Sequence, residues 1–265
     1  MRDFTIDKYN QLLDSLIKQK YTFQTFNEYI IDPAKRSIIL RHDVDDRPNN
    51  SLVLAKIENS LGLKGVYNFR AVPHSWDESI IREISDLGHE IGYHYENLTT
   101  CGGNYEASIN DFKLNLNKLR KLVPVTTITM HGSPKSKYDS RDLWKNYNYK
   151  DLGLIGEPYF DINFDKVLYL TDTGRMWDGY KVNIRDKVKS FKNMNLQNKN
   201  YKFHSTDNII TAAQKKELPD VIMFTIHPQR WHINNKLWLK ELILQNAKNI
   251  VKRLIVIINS KKPSP

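Results

Sequence analysis

A single cysteine, Cys101, stands in a chain of 265 residues. That excludes an intrachain disulfide and any cysteine-built zinc cluster, and it suits a reducing compartment. Long apolar runs are missing as well. The longest, Leu254–Ile258, has five residues, against the ~20 that a membrane-crossing helix needs. The opening Met1-Arg2-Asp3-Phe4-Thr5 has no apolar stretch behind its charges, unlike a secretory leader. A cytoplasmic protein without a transmembrane segment is the expectation. No internal repeat and no sharp change of composition interrupts the chain, so residues 1–265 read as one domain.

Hydrophobic residues make up 40% and charged residues 26%, which suits a globular chain rather than a disordered one. The net charge is +10. The lysines behind it are scattered rather than drawn into one stripe, so nucleic acid is not an expected partner. The 14 Tyr and 5 Trp are a richer sign, because aromatic rings stack on sugar faces as well as filling cores.

The most informative stretch runs from Ile38 to Pro48. Its first part is apolar and β-branched, as a strand covered on both faces would be. Arg41, His42, Asp43, Asp45 and Asp46 follow at once. Alternation puts Asp43 and Asp45 on one strand face and His42 with Val44 on the other. Neighbouring carboxylates repel unless a cation or a shared proton intervenes. An acidic turn capping the next helix is the plainer reading of the same residues.

Four more strands end in a similar way. His89–Glu96 reads as a strand with Glu90, Gly92, His94 and Glu96 on one face. Val125–Met130 runs into His131, and Val221–Ile226 runs into His227. Val167–Leu170 leads into Thr171-Asp172-Thr173-Gly174-Arg175. Helical spacing is visible over 49–61, 77–87, 104–122 and 208–216, and in a long C-terminal helix of about 236–259. Residues 7–31 read as a helix and an aromatic-rich extension across the outside of the core, within an N-terminal helical extension of about 1–35. Residues 151–159 read as a short strand and turn, and 189–201 as an exposed polar connection. Strands alternating with helices imply a parallel α/β fold, whose strand C-terminal rim gathers ligands and catalytic groups.

The motifs Arg41-His-Asp-Val-Asp-Asp46, Gly88-His-Glu-Ile-Gly-Tyr-His94, His131-Gly132 and Ile226-His227 resemble those of the polysaccharide deacetylases, carbohydrate esterase family 4. The likeness spans Ile38 to Trp231 and is nearest to a divergent branch found with surface-polysaccharide genes. It implies a distorted (β/α) barrel of glycoside hydrolase/deacetylase type with about seven parallel strands. It also implies a divalent metal, usually zinc, and hydrolysis of the acetyl amide of an N-acetylated sugar. Carried over by motif, Asp43 is the catalytic base, Asp45 a metal ligand (Asp46 the lesser candidate), His94 a ligand and His227 the general acid. His227 needs an acidic partner, for which Asp172 is the candidate, with Arg175 or Arg230 holding that carboxylate. Trp177 and Trp231 either shape the pocket or fill the core.

One position departs from the pattern. Leu98 stands where the family carries its second metal-binding His. His131 is the expected replacement, with Glu96 as the alternate. His42 and His89 are read as packing or supporting groups, and His74, His204 and His232 as surface or loop residues. Leu98 also motivates a catalytically inert carbohydrate-binding barrel as an alternative. Hydrolysis of another C–N bond or of a glycosidic bond is a third reading.

Overall fold

The computed structural model describes residues 2–133, 136–177, 195–196 and 199–260, with 195–196, 199–200 and 252–260 as backbone alone. Most of the expected polar connection over 189–201, and the tail 261–265, lie outside the described residues. Strand β2 (Ser37–Val44) is the axis of the fold, and all eight of its residues are buried. Over Ser37–His42 it pairs with β9 (Val221–Ile226). Its other edge is shared. β1 (Thr22–Gln24) lies along Ser37–Ile39, and β3 (Val66–Phe69) along Arg41–Val44. Beyond β3 come β4 (Glu90–Tyr95) and β5 (Ile128–Met130), and beyond β9 comes β6 (Leu168–Thr171). All pairings in this seven-stranded sheet are parallel. A separate two-stranded hairpin joins β7 (Asn195–Leu196) and β8 (Lys199–Asn200).

Alternation along β2 sorts its side chains into different cores. Ile38 and Leu40 pack outward with Leu12, Leu13, Ile209 and Phe224, beneath α1 (Ile6–Lys18) and α8 (Thr206–Gln214). On the β3–β5 side, α4 (Glu78–Asp86) and α6 (Tyr105–Arg120) bring Ile81, Phe112 and Leu116 against Phe69 and Tyr93. Ile39 points the other way. With Val66, Tyr169 and Met223 it meets Phe26, Ile162 and Val167 in a small inner core. Helices outside and a closed apolar plug inside make a curled parallel half-barrel, the α/β fold implied by the alternating sequence.

The N-terminal segment corrects its sequence reading. It is not an appendage across the outside. β1 joins the sheet, and α2 (Phe26–Ile31) sends Phe26 into the inner core. Thr25 and Glu28 close a capping box that starts this helix. Residues 151–159 also differ from expectation. Gly153 has φ 68 and ends a short 3-10 turn, Thr127 and Gly156 make one isolated parallel bridge, and Pro158 opens α7 (Pro158–Asp161). A left-handed glycine followed five residues later by proline leaves no room for a full strand. The remaining helices are α3 (Pro48–Ser60), α5 (Asn97–Thr100) and α9 (Asn235–Ser260).

Candidate active site

Above the inner core the concave face of the sheet turns polar, and the strand ends converge. Asp43 lies in β2 and Asp45 just past it. His94 lies in β4, while His131, Asp172 and His227 directly follow β5, β6 and β9. The amide of Asp45 donates to the Asp43 carbonyl at 3.0 Å, so the chain has already left the strand there. Arg47, at φ 56, then turns it into α3.

The donor atoms of Asp45, His94 and His131 all lie within 4.8 Å of one another. Asp45 Oδ1 sits 3.4 Å from His94 Nε2 and 3.5 Å from His131 Nε2. It is buried and has no hydrogen-bond partner among the described residues. The other ring nitrogens are engaged elsewhere. His94 Nδ1 lies 3.0 Å from the Thr129 carbonyl, and His131 Nδ1 lies 2.8 Å from Glu96 Oε2. Each ring therefore turns Nε2 toward Asp45 Oδ1, the arrangement by which outer partners orient metal-binding histidines. Two nitrogens and one carboxylate oxygen, one of them an orphan, fit a first-row divalent ion.

Glu96, the alternate ligand, is occupied from outside the cluster. Arg70 donates to its Oε1 from Nε at 2.9 Å and from Nη2 at 2.6 Å, while Ser133 donates to Oε2 at 3.1 Å. Burial opposes ionisation, but His131 and Arg70 outweigh it and bring the Glu96 carboxyl down to about 2. Asp46 is half-exposed and accepts from the Arg47 amide at 2.8 Å, apart from the cluster. Leu98 is buried at the start of α5.

Asp43 is gripped by Arg41, two positions earlier on the same face of β2. The guanidinium donates from Nε at 3.0 Å and from Nη2 at 2.7 Å, one bond to each carboxylate oxygen. Burial pushes this carboxyl up, and Arg41 with His94 more than reverses the effect, so it is held below its ordinary range. Asn68 adds a bond to Asp43 Oδ1 at 3.3 Å. Gly92 makes that bond possible, because a Cβ there would overlap the Asn68 amide oxygen. Arg41 and Asn68 are given no role in the sequence reading, although the period of two that paired Asp43 with Asp45 also pairs Arg41 with Asp43.

Opposite Asp43 stands His227. Its Nδ1 lies 2.6 Å from Asp172 Oδ1, and its Nε2 faces Asp45 Oδ2 at 3.8 Å. Asp172 is fully buried. It accepts from Arg230 Nη1 at 2.6 Å, from Trp231 Nε1 at 2.9 Å and from the His227 amide at 3.0 Å. Burial raises this carboxyl, yet Arg230 and His227 prevail and hold it below its usual range. Arg230 is the clamp on Asp172. Arg175 instead reaches the Arg230 carbonyl at 3.4 Å and lies over Phe4 and Trp238, drawn there by aromatic faces. Trp177 is a core residue whose Nε1 donates to Thr206 at 2.9 Å.

The remaining histidines sit away from this rim. His42 and His89 lie on the outer face of the sheet, where both approach the buried Glu58. His232 is buried, with desolvation lowering it to about 4. His74 is exposed beside Arg70.

No family model matches the chain, and no curated protein does. Solved structures of similar fold are family 4 carbohydrate esterases, the family that the motifs resemble. One, from Bacillus anthracis, shares 10% identity at a TM-score of 0.40 and covers 90% of this chain and 85% of its own. A peptidoglycan deacetylase, PdaC of Bacillus subtilis, shares 11% at 0.39, covering 85% of each chain. A family 4 pseudoenzyme from Bacillus anthracis shares 13% at 0.41, covering 82% of this chain and 62% of its own.

Proposed function

We propose that the protein is a metal-dependent hydrolase that removes acetyl from an N-acetylated sugar of a surface polysaccharide or its precursor. The observation that carries this reading is the orphan Asp45 Oδ1, buried between the Nε2 atoms of His94 and His131. A divalent ion held by Asp45, His94 and His131, with zinc the best fit, would supply Lewis acidity that polarises the acetyl carbonyl and acidifies water.

The chain's own residues divide the proton work. Asp43 is ionised and takes a proton from the attacking water as its oxygen bonds to the acetyl carbon. Arg41 and Asn68 keep its carboxylate aimed. On the other side of Asp45, His227 delivers a proton from Nε2 to the sugar nitrogen as the C–N bond breaks. Asp172 holds the opposite ring nitrogen, and Arg230 and Trp231 hold Asp172. The products are acetate and the free amine.

Acetate release from N-acetylhexosamine oligomers, measured beside metal content, tests this reading. The expected result is release by protein carrying one ion per chain. Asp43→Asn should lower release by about 100-fold or more while keeping the ion. His94→Ala should lose the ion itself. Protein that holds no ion after gentle purification and after soaking would overturn the metal reading. Glycan binding without acetate release would favour the inert barrel that Leu98 suggests, and a new reducing end would indicate glycosidic cleavage.

A further inference from the structure

The helix α9 is turned inside out for a soluble protein. Among its described side chains the buried ones are polar, Glu241, Gln245 and Asn249, spaced four apart. Asn249 Nδ2 donates to the Gly174 carbonyl at 2.9 Å, and Gln245 Nε2 donates to Asn249 Oδ1 at 2.7 Å. Leu237, Leu239, Ile243, Leu244, Ile250 and Val251 face outward, each between 43% and 61% exposed. At 3.6 residues per turn these six fall on an arc of roughly 160°. Lys236 and Lys240 fall within the same arc, so six large apolar side chains and two lysines share one exposed face, which is out of place on a surface helix unless something covers it.

Charge selects the cover. Lys236, Lys240 and Lys248 are exposed on the same helix, and its only carboxylate, Glu241, is buried. Among the described side chains of α9, the exposed ones are apolar, cationic or, at Asn235 and Asn246, neutral, none is acidic, and the whole chain carries +10. A second copy would bring lysines against lysines, without the acidic partners that flank self-associating helices. An anionic bilayer surface satisfies both features at once, the acyl boundary for the leucines and isoleucines and the headgroups for the lysines. No described helix is long and apolar enough to cross a membrane, so the fit is to a helix lying in the interface. We infer that α9 docks the protein on anionic lipid membranes. Gly174, which Asn249 holds, lies two residues past Asp172. Docking through the opposite, exposed face therefore leaves the rim that carries Asp172 on the side of α9 away from the bilayer.

Vesicle flotation tests this without any activity measurement, so its outcome is independent of the deacetylase reading. The full chain is mixed with vesicles of phosphatidylcholine alone or with 30% phosphatidylglycerol. Binding is expected to the mixed vesicles only and to weaken with salt, by about fivefold for each of Lys240→Gln and Lys248→Gln. The triple variant Leu239→Gln/Ile243→Gln/Ile250→Gln should lose at least tenfold in binding while its circular dichroism and melting temperature stay unchanged. Equal binding to neutral vesicles, no binding to either, or full binding by the triple variant each overturns the inference. So does a wild-type dimer that the triple variant converts to monomer in the absence of vesicle binding.

Discussion

His131 owes its direction to Glu96, and Glu96 owes its own to Arg70. In the proposed metal site this relay stands in for the histidine that the resembling family carries at the position of Leu98. Glu96→Gln keeps the size of the side chain but removes the charge that faces His131 Nδ1. Metal affinity should fall by about 10- to 100-fold, as for other outer-shell partners, and titration calorimetry with zinc measures it. An affinity unchanged within twofold would mean that His131 needs no such support. At this scale the candidate site was largely legible. Asp43, Asp45, His94, His131, Asp172 and His227 all stood at strand ends, and the structure gathers them on one rim. Arg41 was not singled out, because an arginine within a buried strand looks at first like packing, and only its bidentate bond to Asp43 reveals its task. The choice between Arg175 and Arg230 was not legible either. It depends on where Phe4 and Trp238 lie, and both are distant in sequence from Arg175.

Among elements, the strands and helices with strong periodicity lie where the sequence puts them, within a few residues. β1 was invisible because it has three residues and only one neighbour, β2. A short strand of that kind owes its form to its partner, not to its own composition. α2 follows directly, and its Phe26 is 2% exposed within the inner core. Phe26→Ala should destabilise the protein by about 3–5 kcal/mol, read from urea unfolding. A loss below about 1 kcal/mol would restore the view of this segment as an appendage.

For the molecule as a whole, the floor of the half-barrel should shape the response to pH. Burial raises Glu157 to about 8, against the opposing pull of Arg41. A carboxyl whose pKa is higher folded than unfolded binds its proton more tightly in the native state. It therefore stabilises most at low pH, and that contribution is lost as pH rises from the ordinary 4.5 through about 8. Melting temperature should fall across this window, and Glu157→Gln should flatten the fall. An identical slope in the variant would assign the effect to other groups.

β2 carries Asp43 and lies between β9 on one edge and β1 with β3 on the other. Amide hydrogens in such a strand exchange with solvent only when the entire sheet opens. The segment that holds the proposed base should therefore be the last part of the chain to take up deuterium. Loss of function on heating should then precede global unfolding, because His131 follows β5 at the edge of the sheet, which can part while β2 stays paired on both sides.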